Sequence, residues 1–126
     1  MILRKLERND VEELRIIHEK FFSKEFPFAD LFDKSLSSLV VTDDEEKIIT
    51  GGQVRVIAES VIITNKDYPI KDKREALQEM LRALMFTANL KGFNQLHAFI
   101  QDENWERHLK RYGFKKTKGQ ALVLNL

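Results

Sequence analysis

The sequence predicts an α/β layered domain, and three observations carry that expectation. Residues 71–92 have the period of a long amphipathic helix, with Ala76, Leu77, Met80, Leu81, Leu84 and Ala88 recurring on one side. A β-branched run, Val61-Ile62-Ile63-Thr64, precedes this helix, and Gln95-Leu96-His97-Ala98-Phe99-Ile100 follows it. Strand, helix, strand implies a right-handed crossover and parallel pairing unless other strands intervene. The full order reads β α (α) β β β α β α β, in which helices cover a sheet.

Each element has its own local signal. Ile2 to Leu6 alternates apolar and basic residues, the pattern of a short strand. Asn9 with Glu12, and Asp10 with Glu13, have capping-box spacing, and Val11, Leu14, Ile17 and Phe21 make an apolar stripe on a helix reaching about Lys24. Pro27 prevents its continuation. Phe26, Phe28, Leu31 and Phe32 form an aromatic connection, read either as packing under a loop or as the wall of a pocket. Residues 36–42 read as a strand, Asp43-Asp44-Glu45-Glu46 as a charged turn, and residues 47–49 as the start of the next strand. Gly51-Gly52 interrupts that strand, which marks a bulge or a close approach of another backbone or ligand. It resumes with Val54, Val56 and Ile57, and Glu59-Ser60 is a turn before the strand 61–64.

The central helix opens on Asp72 and Glu75, again at capping-box spacing, and closes on Lys91 and Gly92. Ala83-Leu84-Met85-Phe86 widens its apolar face, so its second half is expected to be buried nearly all round. Residues 94–101 form the next strand. Residues 103–111 form a shorter helix, with Trp105 and Leu109 on one face and Gly113 ending it. Residues 121–126 are expected to close the sheet as a last strand, with Leu122, Leu124 and Leu126 as its apolar residues.

Composition narrows the function classes. At 126 residues the chain is read as one domain, 1–126, and 43% hydrophobic with 33% charged residues is ordinary for a globular protein. The net charge of +1 leaves no electrostatic footprint for nucleic acid or an anionic membrane. The basic group Lys110, Arg111, Lys115, Lys116 and Lys118 reads as a solvated face, and DNA binding through it ranks last among the functions considered. The absence of cysteine removes disulfides, thiolate catalysis and cysteine-based zinc sites, and His18, His97 and His108 lack metal-ligand spacing, so no metal is expected. No signal-peptide or membrane-spanning pattern is present, and a cytoplasmic location is the expectation.

The end of the chain carries a family resemblance. Asp102-Glu103-Asn104-Trp105, a short helix, and Arg111-Tyr112-Gly113-Phe114 before a last strand resemble the GNAT (Gcn5-related N-acetyltransferase) superfamily, in which a helix ending in Gly-Phe follows the fifth strand. Ile48-Ile49-Thr50-Gly51-Gly52-Gln53 looks like the third strand of that family, and Asn9-Asp10-Val11-Glu12-Glu13-Leu14 looks like its first strand-to-helix junction. The resemblance spans nearly the whole chain. It implies a central mixed sheet of about six to seven strands with flanking helices, in which strands 4 and 5 splay apart.

That likeness also implies a mechanism. Acetyl-CoA would lie in the splayed cleft, with its pantetheine amides paired to the fourth strand at Ile62, Ile63 and Thr64. Its pyrophosphate would sit on the amide hydrogens that lead the long helix, at Lys71, Lys73, Arg74, Glu75 and Ala76. An amine would attack the thioester while Glu59 or His97 takes its proton. The acceptor, a small-molecule or protein amine, would be read by residues 21–35, where exposed Phe28 and Phe32 would hint at a homodimer.

The chain departs from the family at two places. The family's phosphate loop reads Arg/Gln-x-x-Gly-x-Gly/Ala, and its positions fall on Asp72, Glu75 and Leu77, so both glycines are replaced and two carboxylates stand at an anion site. The family's tyrosine acid falls on Leu109, and Tyr112 is most of a turn away. These departures look similar to the degenerate GNAT-like proteins encoded by tailed bacteriophages among their morphogenesis genes. Two functions follow: an acetyl-CoA-dependent N-acetyltransferase, or a catalytically inactive GNAT-fold binding or phage-assembly module that offers a groove to a partner strand.

Overall fold

The computed structural model describes residues 1–126 and contains β1 (Ile2–Lys5), α1 (Asp10–Phe21), β2 (Ser35–Thr42), β3 (Ile48–Arg55), α2 (Ile70–Leu90) and α3 (Glu103–Arg111). The backbone forms two compact units, Met1–Val56 with Lys115–Leu126, and Ile57–Phe114.

In the first unit β1, β2 and β3 form a three-stranded antiparallel sheet in that order. The sequence builds it simply. Asp43 accepts the N–H groups of Glu45 and Lys47, both at 2.9 Å, and Glu46 takes a left-handed φ of 65°, which turns β2 into β3. Cross-strand pairs such as Leu39 with Gly52 and Val41 with Thr50 set the register. One face buries Val40 with Leu6 and Ile48, and Val11, Leu14, Ile17 and Leu31 pack against them. Gly51 does not interrupt β3: a Cβ there would lie 2.7 Å from Leu14 Cδ2, so its missing side chain is what admits α1 to the sheet.

The expected capping boxes of α1 do not form. Asn9 has helical backbone angles and caps nothing with its side chain. The Asp10 carboxylate is instead held by Arg4 and by the Glu7 N–H at 2.7 Å, while Glu13 reaches across the fold to accept the Ile48 N–H at 2.9 Å. Long-range partners outcompete the local motif because they satisfy donors the fold would otherwise bury.

The second unit is built on α2 and α3, whose buried residues are Leu81 and Leu109. Here the expected sheet is corrected. The α/β layered, GNAT-like mixed sheet of six to seven strands is replaced by a small α+β arrangement with three antiparallel strands. Of the expected fourth and fifth strands, one parallel bridge between Glu59 and His97 forms. Residues 121–126 form no strand, and Leu122, Val123, Leu124 and Leu126 are exposed. A strand persists only where a neighbour pairs its backbone along its length, and β-branched composition alone does not supply that neighbour.

The long helix also starts earlier than expected. Pro69 occupies the N-cap with extended angles (φ −57°, ψ 151°), so Asp72 is the third helical residue and no side chain caps the end. Its second half is not buried all round either, for Met85 and Phe86 are exposed. The termini near Gly92 (φ 85°) and Gly113 (φ 97°) agree with the sequence, since both glycines are left-handed where the chain leaves a helix.

Candidate functional site

The candidate site lies in the second unit and is organised by one irregular segment, residues 58–65, tied down by an isolated bridge at Glu59. His97 locks that segment in place: its N–H donates to Ala58 O at 2.8 Å, and its carbonyl accepts the Ser60 N–H at 2.8 Å and the Ser60 hydroxyl at 3.3 Å. Glu59 is thereby the direct bridge partner of His97, so the two candidate bases are neighbours across a parallel pair. They differ in surroundings. Glu59 is exposed, whereas the His97 ring Nδ1 is buried without a hydrogen-bond partner.

Two pockets follow one another along this segment. The first, about 220 Å³, is lined by Glu59, Val61, Ile62, Phe99, Ile100 and Trp105, with Leu109 of α3 beneath them. Glu59 is its one ionisable wall residue, and His97 does not reach it. The second, about 340 Å³, joins Ile62, Ile63 and Thr64 to the opening turns of α2 through Lys73 and Ala76. Ile62 belongs to both. Five of the eight residues expected to bind a cofactor are thus gathered in one groove, while Lys71, Arg74 and Glu75 are exposed and lie outside it.

Electrostatics at the opening of α2 are mixed. The amide N–H groups of Ile70, Lys71 and Asp72 precede the first backbone bond of the helix, Lys73 N–H to Pro69 O at 3.0 Å, and no side chain caps them. Such groups carry the positive end of the helix dipole. Lys73 adds a cation, with its Nζ donating to Lys66 O at 3.3 Å. Asp72 opposes both from the groove wall.

Sequence reasoning overlooked Asn65, Tyr68 and Trp105 as lining residues. The signal for Asn65 is legible afterwards: its Oδ1 accepts the Asp67 N–H at 3.0 Å, which forms an Asx turn that bends the loop beside the groove. Trp105 was visible as an apolar residue of α3, and its N-cap, Asp102 accepting Asn104 N–H at 2.9 Å, fixes where that face begins.

The aromatic stretch 21–35, expected to read the acceptor, belongs to the first unit, where Phe21, Phe22, Phe26 and Phe32 are exposed. Buried His18 donates its Nε2–H to Phe26 O at 2.6 Å and lies against the Phe26 and Phe28 rings, with centroids at 5.2 and 5.4 Å. Arg15 covers Phe28 and Arg8 covers Phe32, at 4.9 and 4.7 Å. No group of three His, Cys, Asp or Glu residues is arranged to hold a metal, and no helix is long and apolar enough to cross a membrane.

Compared with known proteins, the sequence matches no family model and no curated protein. Among solved structures, the chain is similar to the aminoglycoside N-acetyltransferase AAC(6')-Iy in complex with CoA, at 15% sequence identity over 99% of each chain and a TM-score of 0.40. A superposition that loose carries neither the fold nor the chemistry of that enzyme to this chain.

Proposed function

We propose that this chain is an acetyl-CoA-dependent N-acetyltransferase of GNAT type that acts on an amine. The observation that carries the proposal is the groove of about 340 Å³ joining Ile62, Ile63 and Thr64 to the opening of α2. Two features in and beside the groove support the reading. Uncapped amides of Ile70, Lys71 and Asp72, with Lys73 beside them, offer donors and positive charge for a pyrophosphate. The backbone of 62–64, which pairs with no strand, offers peptide groups to an amide-bearing arm. Bound there, acetyl-CoA supplies an acyl thioester open to attack by an amine.

The chain's own contribution begins with proton removal. Glu59 lines the adjoining pocket, is exposed, and holds no ion pair, so its carboxylate is free to accept the amine's proton directly or through one water. Backbone bonds from His97 to Ala58 and Ser60 fix where Glu59 stands. Leu109 stands at the position of the family's tyrosine, so solvent supplies the proton that the departing thiolate takes up. The acceptor is a small-molecule or protein amine, and the protein works in the cytoplasm, as a monomer or as a homodimer.

A second reading is favoured by Asp72 in the groove wall. A carboxylate at that point suits a scaffold without catalysis, an assembly module of the phage type, better than it suits an anion grip. Titration calorimetry with acetyl-CoA and with desulfo-CoA separates the two. Saturable heat with both ligands supports the transferase, and absence of heat at millimolar ligand overturns it in favour of the scaffold.

A further inference from the structure

We propose that the outward face of the β1–β2–β3 sheet docks a second copy of this chain, stacked on it about a two-fold axis with the strand direction reversed. The inference goes beyond the transferase reading and holds whether or not CoA binds. It moves the homodimer contact away from Phe28 and Phe32, whose rings are covered by Arg15 and Arg8.

The sheet is apolar on both sides, but α1 covers one of them. Val40 and Ile48 are buried on the side where Val11, Leu14 and Ile17 pack. Alternation sends Leu3, Leu39, Val41 and Val54 to the other side. Register sets Leu3 beside Val41, Val41 beside Thr50, and Leu39 beside Gly52. A hollow of about 320 Å³ runs over these rows, and no charged side chain lines it. Gly52 leaves it open, since nothing lies within 4 Å of a Cβ built there. Leu3 is 67% exposed and Val54 60%. An antiparallel sheet face that stays in water is ordinarily polar, so a contiguous leucine and valine surface marks an interaction site.

Charge at the two ends of the sheet selects the occupant and its orientation. The β2–β3 turn carries four carboxylates, Asp43, Asp44, Glu45 and Glu46, against one cation, Lys47. At the opposite end Lys34 is answered by Asp33 at 3.6 Å, and Arg55 stands exposed at the end of β3. Lys5 is exposed at the rim on β1. One surface therefore carries both halves of a complementary pair, which is the condition for a two-fold contact with itself. Two axes in the plane of the sheet would stack the faces. An axis along the strands lays acidic turn on acidic turn. An axis across the strands lays each turn toward the partner's basic end, so charge favours the second. The footprint also sets the strength. Three strands about 4.8 Å apart, with eight residues of about 3.4 Å each in β2 and β3, cover roughly 350 Å² per copy. An area of that size belongs to weak, reversible pairs, so a monomer–dimer equilibrium at micromolar concentrations is expected.

Sedimentation equilibrium of the intact protein over micromolar concentrations, at low and at high salt, reads the mass directly. A concentration-dependent rise from 14.8 kDa toward twice that mass, smaller at high salt, is expected. V54K puts a charge into the apolar face and is expected to weaken association at least about tenfold. L3K serves as a second variant if circular dichroism shows that V54K disturbs the fold. I16K, a comparably exposed substitution on α1, is expected to leave association unchanged. R55E is expected to weaken the pair, and R55E combined with E45K to recover part of the loss. A monomer at every concentration, an association that I16K reduces as much as V54K does, or one that survives both V54K and L3K overturns the docking face. An association that R55E leaves unchanged overturns the reversed-strand arrangement.

Discussion

Arg4 and Asp10 are joined by two parallel hydrogen bonds, Nη1 to Oδ2 at 2.7 Å and Nη2 to Oδ1 at 2.8 Å, which tie the end of β1 to the start of α1. The Asp10 side chain is buried, and it also accepts the Glu7 N–H. The Arg4 hydrogen bond, helped by that backbone bond, holds its carboxyl below the usual carboxylate range. A carboxyl depressed in the folded state stabilises the fold above its unfolded value, about pH 4, and that contribution is lost as pH falls through the folded value. The parent protein is therefore expected to lose melting temperature between pH 4 and more acidic solution. D10N is expected to melt several degrees lower at pH 7 and to show a flatter acid dependence. Circular dichroism melts at pH 7 and pH 3 check both, and identical slopes for the two proteins would remove Asp10 from the explanation.

Gly51 and Gly52 are adjacent but have opposite requirements. A Cβ at Gly51 meets Leu14 Cδ2 at 2.7 Å and Cδ1 at 3.1 Å, whereas nothing lies within 4 Å of a Cβ at Gly52. G51A is expected to cost about 1 kcal/mol as Leu14 is forced aside. G52A is expected to gain about 0.5 kcal/mol, because alanine has less backbone entropy to lose in a strand. Chemical denaturation of the two variants tests the pair, and equal effects would refute the packing role assigned to Gly51.

The same residues show what the sequence could and could not say. Residues 103–111 are legible to the residue because Gly113 is a local stop signal that holds in the structure, where Asp102 also caps the start. The start of α2 was misread because Asp72 and Glu75 mimic a capping box, while Pro69, three residues earlier, fixes the helix entry. The strand at 61–64 was misread for a different reason. Val61 and Ile63 have strand propensity, yet propensity is silent about whether a partner arrives, and only Glu59 and His97 meet. Ile62, Ile63, Thr64, Lys73 and Ala76, which the family resemblance names, line one groove. Trp105 and Asn65 are not legible as lining residues in the sequence, since tertiary placement and not residue type makes them so.

The two candidate bases are expected to separate in kinetics. Glu59 lines the pocket, whereas His97 holds its neighbours through backbone bonds that survive a change of side chain. If the chain acetylates amines, E59Q should lower kcat by roughly 100-fold, the lower range for loss of a general base. H97Q should lower it less than about tenfold and leave the pH profile unchanged. Its effect on stability should be small, because the bonds that hold Ala58 and Ser60 come from the backbone of residue 97. Acetyl transfer followed across pH for both variants is the measurement. A larger loss in H97Q would transfer the base assignment to His97.

If CoA binds at the opening of α2, Asp72 is the residue that sets the strength of the grip. It is the third residue of α2, beside the uncapped amides of Ile70 and Lys71, and it lines the groove together with Lys73. Its carboxylate helps the helix, since a negative charge in the first turn complements the dipole, but it repels a pyrophosphate approaching the same donors. D72N removes the repulsion and keeps the shape. CoA affinity should rise about fivefold at low salt, with the gain shrinking as ionic strength increases, because the effect is a partly exposed charge interaction. Thermal stability should fall slightly in the same variant as the dipole loses its complement. Calorimetric titration of CoA at two salt concentrations, paired with melts, reads both effects at once. Weaker binding by D72N would mean that the carboxylate contributes a contact and not a repulsion, and would move the diphosphate away from the opening of α2.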